Sequence, residues 1–358
     1  MKVSTLAKLT VPLCIFSDGK LLCYHRGKLI VMRDWIVLKS ILMPISLIER
    51  LLGWSRLATR LLRFGVRVAE AMDDTHAIIC IGNKLYEVDI EHGTVSKGWY
   101  CGNGVRPLIM TSVTGIKGFG DGVYFGGYLM NMGKKPVHIY HRVGVDNWKV
   151  VYSFADGEIN HVHSIVPDPY RQCLWIYTGD FDESAAIWKA TDGFSNVQRV
   201  VGNEQKYRGC VGYALPEGLL FATDAPYAEN YIYLMNPATN ETKALFPLHG
   251  SCIYGCRWNR NYVFSSTVED DGRTDEGFKL FYSGNRGVGI KDDYVHLYIG
   301  NPAEGFKEIY KEKKDCMSFL FQLAVFKFPY GMNYTNKLYF MPMATNKHDM
   351  SMLIIEPE

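Results

Sequence analysis

The chain has 358 residues, and its 39 basic and 37 acidic side chains leave a formal net charge of +2. With 47% apolar residues, that balance excludes a disordered polyelectrolyte and a protein that coats nucleic acid by bulk charge. The 34 Gly, 23 Tyr, 18 Phe and 7 Trp point to a β-protein, because aromatics fill pleated faces and glycines serve turns.

At the N-terminus, Lys2 and Lys8 precede a short apolar run over 9–16 that Asp18 and Lys20 end at once. The run is too short for a secretory leader and no small-residue cleavage site follows it, so residues 11–16 read as a strand. Elsewhere, no uncharged apolar stretch approaches the roughly 18–20 residues that cross a bilayer. The nine cysteines are odd in number and scattered through apolar contexts, which suits a reducing, cytoplasmic compartment. Cys252 and Cys256 make the one close pair, half a zinc site at most.

Residues 34–62 read as an α-helical amphipathic insertion, interrupted at Pro44. Arg56, Arg60, Arg63 and Arg67 recur at helical spacing and form one stripe, with Leu47, Leu51 and Leu61 centred opposite. Between Arg33 and Glu70 there are seven basic and three acidic residues. Two uses fit this pattern. The helix packs on the body with its arginines in solvent, or residues 45–68 lie on the inner membrane face, with Trp54, Arg56, Arg60 and Arg63 against anionic lipid.

From residue 84 onward one phrase repeats: a short apolar strand with a central aromatic, a polar turn and a second strand. It begins at Lys84, His138, Ala186, Tyr231 and His296. Two further strand-like runs precede each of the later copies, as in 161–168 and 173–180 before Ala186. Four strands every ~45–50 residues is the arithmetic of a β-propeller. The expectation is an all-β chain, 1–358, forming a single propeller of six four-stranded blades. N-terminal strands within 11–33 close the ring, or make a seventh blade of their own.

In such a ring, inner-strand starts share a mouth with second-strand ends. The first set offers Arg106, His161, His163, Tyr207, Arg208 and His249; the second offers Asp180, Asp224 and Glu269. Carboxylates beside His and Arg can move protons at a glycosidic bond and hold an acidic sugar. Glu269, Asp224, Asp180 and His163 are the catalytic candidates; Arg106, His161, Tyr207, Arg208 and His249 are the substrate-binding ones. His161, His163 and Asp180 could alternatively hold a divalent metal, since His-x-His on a strand places both rings on one face. No phosphate loop, dinucleotide fingerprint or basic–aromatic patch appears, so no nucleotide cofactor or nucleic-acid partner is expected.

The hairpin turns resemble the Asp-box repeats of sialidase-like propellers, which run Ser-x-Asp-x-Gly-x-x-Trp. Residues 190–197 keep Asp192, and the copy ending at Trp148 keeps the tryptophan. The resemblance implies a propeller with arginines around a substrate carboxylate. Arg106 stands in a phrase similar to that family's early Arg-Ile-Pro, and Arg208 and Arg257 would complete a triad. The chain also looks like bacterial propellers linked to surface-polysaccharide pathways. Together these readings point to a glycoside hydrolase or lyase acting on an acidic glycan. The alternative is a non-catalytic glycan-binding or scaffold propeller docked on a membrane surface.

Overall fold

The computed structural model describes residues 2–270 and 285–356. Seven antiparallel sheets follow one another in chain order, each built on a four-stranded meander. Their innermost strands are Thr10–Ile15, Val66–Ala71, Thr111–Val113, His161–Asp168, Gly209–Leu215, Tyr254–Trp258 and Val325–Lys327. The molecule is a seven-bladed β-propeller.

The blade count resolves at the N-terminus. Strand Lys2–Lys8 pairs antiparallel with Ser351–Glu356, from Lys2 opposite Glu356 to Lys8 opposite Ser351. It supplies the outer strand of the last blade and closes the ring. Residues 11–33, expected either to close the ring or to make a seventh blade of their own, do the second: they belong to a complete first blade of Thr10–Ile15, Leu21–His25, Lys28–Arg33 and Ile36–Leu42.

Burial explains why the repeat was visible in the sequence. Second strands are sandwiched between neighbouring blades and read as unbroken apolar runs; Cys173–Gly179 is buried at every position. Outer strands face solvent with only scattered buried positions, as in Asn147–Phe154. The repeated phrase is the third strand, its turn and the outer strand. Blades meet closely enough to exclude side chains: a Cβ on Gly126 would fall 2.3 Å from Val162. All the cysteines are free thiols, and only Cys316 is exposed. Cys252 and Cys256 are buried in the seams rather than joined at a metal.

The helical insertion is shorter than its sequence suggests. Residues 36–42 are the outer strand of blade 1, leaving two short helices, α1 (Leu47–Leu52) and α2 (Arg56–Leu62). Ser46 caps α1 by accepting from the Glu49 N–H, and Ser55 caps α2 by accepting from that of Ala58. Residue Arg63 ends α2 in the left-handed region at φ 55°. No helix among the described residues is long and apolar enough to cross a membrane.

Only part of the arginine stripe turns inward. Arg60 is 1% exposed; its Nε donates to the Phe321 carbonyl, and its Nη1 meets Asp315 and, at 3.0 Å, Asp349. It therefore touches no lipid. Arg56 remains more than half exposed while reaching Asp349 at 3.6 Å. Arg63 donates to Gln322 at 3.3 Å and lines the channel. Trp54 stays exposed, with the Arg26 guanidinium 3.9 Å from its ring centre. Helix α2 is thus a lid over one end of the ring, pinned by its cationic side.

Candidate functional site

Beneath α2 lies a chamber of about 250 Å³. The first residues of several inner strands turn into it, which is how residues distant in sequence meet. Blade 2 contributes Arg67, the segment entering blade 3 Arg106, blade 5 Cys210 and blade 7 Lys327; the lid adds Arg63, and Tyr128 and Asp224 complete the wall. Cys210, Ile253 and Tyr254 also border a second cavity of about 400 Å³, lined by the far ends of the inner strands. That lower cavity contains Arg257 and Glu70, whose carboxyl burial pushes up to about 7 although Ser112 hydrogen-bonds it.

The charge of the upper chamber is its main feature. Arg63, Arg67, Arg106 and Lys327 all line it, and among the described residues none forms a salt bridge. The Nε atoms of Arg67 and Arg106 are buried without a hydrogen-bond partner among the described residues. Burial, with Arg67 and Arg63 close by, pulls the Lys327 ammonium down to about 8. Burial and the same two arginines also lower Arg106. Arg67, Arg106 and Lys327 are half-buried and have no counter-charge among the described residues, which is unfavourable in the empty protein and suits the chamber to an anion.

Behind Tyr128 and Asp224 runs a polar network. Its hub is Arg208, whose Nη1 donates to the Asp180 carbonyl at 3.0 Å. The Nη2 of Arg208 meets Asp180 Oδ1 at 2.9 Å and its Nε faces Asp224 Oδ2 at 3.4 Å. Burial disfavours the guanidinium, but Asp224, Asp180 and Glu269 outweigh it and raise its pKa. Arg208 is therefore held by protein carboxylates rather than offered to a substrate. Cys210 donates to Asp224 Oδ2 at 3.3 Å, whereas Asp224 Oδ1 is buried without a partner. Glu269 accepts from Thr267 at 2.9 Å, and burial together with Asp224 raises its carboxyl to about 7.

His161 and His163 adjoin this network. Their Nδ1 atoms sit 3.0 and 3.1 Å from the carbonyl oxygens of Leu129 and Gly209. A carbonyl only accepts, so both Nδ1 atoms carry protons and both Nε2 atoms are left as acceptors. Yet the two Nε2 atoms lie 2.9 Å apart and 3.3 and 3.4 Å from Asp180 Oδ1. Three electron-rich atoms so close require a cation between them, either a proton or a metal ion. Backbone carbonyls that fix both rings are the usual support of metal-binding histidines, so the residues present fit a divalent ion. Burial lowers the His161 imidazolium, although Asp180 opposes this. Burial would raise the Asp180 carboxyl, but the two histidines and Arg208 hold it far below the usual range.

The remaining sequence candidates lie elsewhere. Tyr207 packs at the edge of the seam between blades 4 and 5. His249 donates to Asp292 at 2.9 Å and lies at a tilt against His296, whose ring also contacts Asp292 and Glu308. That cluster is internally satisfied and outside the chamber. Arg257 faces the lower cavity while Arg106 faces the upper one, so Arg106, Arg208 and Arg257 do not surround a single carboxylate. Sequence reading overlooked Lys327 and assigned Arg63 and Arg67 to a helix surface. The available signal was position: Arg67 and Lys327 both belong to innermost strands, the elements used to align the other candidates.

No protein-family model matches the chain, and no curated protein matches its sequence. Solved structures match in fold. One titled as an oligogalacturonate lyase in complex with manganese is 10% identical with a TM-score of 0.58, covering 99% of this chain and 93% of that one. The β-propeller domain of Cps50 (Swd1) from Myceliophteria thermophila is 8% identical with a TM-score of 0.57, over the whole of both chains. A prolyl endopeptidase is 11% identical at 0.55, covering 99% of this chain and 51% of its own. Identities this low establish the propeller architecture and leave chemistry to the site itself.

Proposed function

We propose that the protein is an acidic-glycan lyase whose upper chamber holds a uronate-type residue by its carboxylate. The observation that carries this is the set of four cations, Arg63, Arg67, Arg106 and Lys327, which form no salt bridge among the described residues, around a space about the size of one sugar. Such a bank lowers the energy of the dianionic carboxylate that forms when the neighbouring C–H proton leaves. In this reading the Asp224 carboxylate of the chamber wall, whose buried Oδ1 has no partner among the described residues, accepts that proton once a substrate is seated. Elimination then forms the C4=C5 double bond as the C4–O bond breaks, and the leaving oxygen takes a proton from the Tyr128 hydroxyl. A hydrolase of the sialidase-like kind is less well supported, because the arginines do not form that family's triad.

The same reading gives His161, His163 and Asp180 a divalent metal. Bound there, the ion would supply positive charge beside the chamber, and Arg208 would hold Asp180 in place. Full-length protein dialysed against Mn²⁺ or Zn²⁺ is expected to retain about one equivalent by elemental analysis. His163→Ala should lose it with the fold unchanged by circular dichroism; equal metal content in the variant excludes this site.

The direct test is a panel of acidic and neutral oligosaccharides. Oligouronates should bind and yield a product absorbing in the ultraviolet through its new conjugated double bond, and Asp224→Asn should abolish the product while retaining binding. Binding without any product would make the chain a glycan-binding propeller. Preference for neutral sugars would overturn the reading altogether.

A further inference from the structure

The outer side of the lid has no partner among the described residues. Helix α1 buries none of its residues. Leu47 is 70% exposed, Ile48 67%, and Leu51 and Trp54 63% each; beside them Ile36 and Leu38, on the outer strand of blade 1, are also exposed. Roughly half of the exposed large apolar side chains among the described residues lie between residues 35 and 62. Scattered surface leucines need no explanation, but a patch this concentrated marks a contact surface. The usual amphipathic arrangement is inverted at Arg60, which is buried against the protein while the leucines face outward.

The fringe of the patch indicates what covers it. Arg26, Lys28 and Arg56 border it, with Arg26 lying over Trp54. Asp34, the exposed acid at its edge, is paired with Lys337. A second copy joined across a twofold axis would bring these basic fringes together. An anionic lipid surface satisfies both features, since apolar side chains enter the headgroup–acyl boundary while cations meet phosphates. A tryptophan at the rim suits that boundary as well.

We propose that this face, formed by α1, the outward side of α2 and the outer strand of blade 1, docks the protein on an anionic membrane surface. Leu47, Ile48, Leu51 and Trp54 insert, and Arg26, Lys28 and Arg56 contact the headgroups. The docking surface is separate from the chamber and does not depend on its chemistry.

The test is flotation of the full chain with vesicles of phosphatidylcholine alone, or with about a third phosphatidylglycerol. The protein should float with the mixed vesicles and much less with the zwitterionic ones. The double replacement Ile48→Ser, Leu51→Ser should cut the partition coefficient at least tenfold, given about 0.8 kcal/mol for each CH₂ withdrawn from the lipid. Arg56→Gln should cut it a few-fold, at about 1 kcal/mol per basic residue. These side chains are exposed, so an unchanged unfolding temperature is the control, and Trp54→Ser is the second variant. Absence of flotation, or flotation insensitive to the apolar replacements, overturns the proposal. So does a dimer in sedimentation that Ile48→Ser, Leu51→Ser converts to monomer without any vesicle capture, since the face then belongs to a second copy.

Discussion

Arg67→Gln combined with Lys327→Met should weaken binding of an acidic oligosaccharide by about a thousandfold or more while making the ligand-free protein more stable. The first half follows from contact: truncating a buried charged partner of a bound ion costs about 2–5 kcal/mol, and two are removed. The second half follows from the absence of counter-charges. The Lys327 pKa is about 8 in the folded chain, and the ordinary lysine value is near 10.4. Below pH 8 the ammonium is charged in both states, and the folded state carries the full penalty of housing it. Between 8 and 10.4 the folded chain has released the proton and the unfolded chain has not. The unfolded state then binds more protons, so wild-type stability rises with pH across that window.

Lys327→Met removes the group and flattens that slope. Its advantage over wild type is expected to be about 2 kcal/mol at pH 7, after allowance for water in the chamber, and to vanish near pH 10.5. Denaturant titrations at pH 7, 9 and 10.5 read it. Opposite signs for affinity and stability distinguish a binding site from ordinary packing, where both would fall. Unchanged affinity, with stability falling at pH 7, would mean that the cations are a structural element with partners of their own.

The architecture was legible because a propeller repeats its burial pattern. Third strands at 84–89, 186–191 and 230–235 fall where the repeated phrase begins, since each has the same neighbours. Blade 1 was less legible. Its outer strand, Ile36–Leu42, has almost no buried face, so alternation gave no cue and an apolar run was read as helix. Site legibility divided in the same manner. His161, His163, Asp180, Arg208 and Asp224 do converge, because antiparallel order dictates which strand ends share a mouth. The function of each was hidden, because a sequence does not show whether Arg208 is free or already held by two carboxylates. Nor does helical spacing show which face of a stripe is outward; the acids that draw Arg60 inward, Asp315 and Asp349, lie more than 250 positions away.

That inward turn sets the second large expectation. Arg60→Ala should destabilise the protein by about 3–5 kcal/mol, because it takes from buried Asp349 and half-buried Asp315 their closest cation. Burial would raise the Asp315 carboxyl, yet Arg60 and Lys314 hold it below its ordinary value; at Asp349 burial outweighs Arg60 and the carboxyl is raised. Arg60→Lys keeps the charge but cannot serve Phe321, Asp315 and Asp349 together from one planar group, so a loss intermediate between wild type and alanine is expected. The double variant Arg60→Ala, Asp349→Ala should recover part of the loss, because it removes one of the stranded acids. Urea unfolding measures all three. An arginine facing solvent or lipid would change stability by less than about 0.5 kcal/mol on truncation, so a result that small would return the stripe to the surface. Arg60 and Arg63 belong to the same end of the lid, so releasing α2 also displaces a chamber cation. Ligand affinity should therefore fall with Arg60→Ala at temperatures where the variant is still folded, which ties the lid's anchorage to the charge of the chamber beneath it.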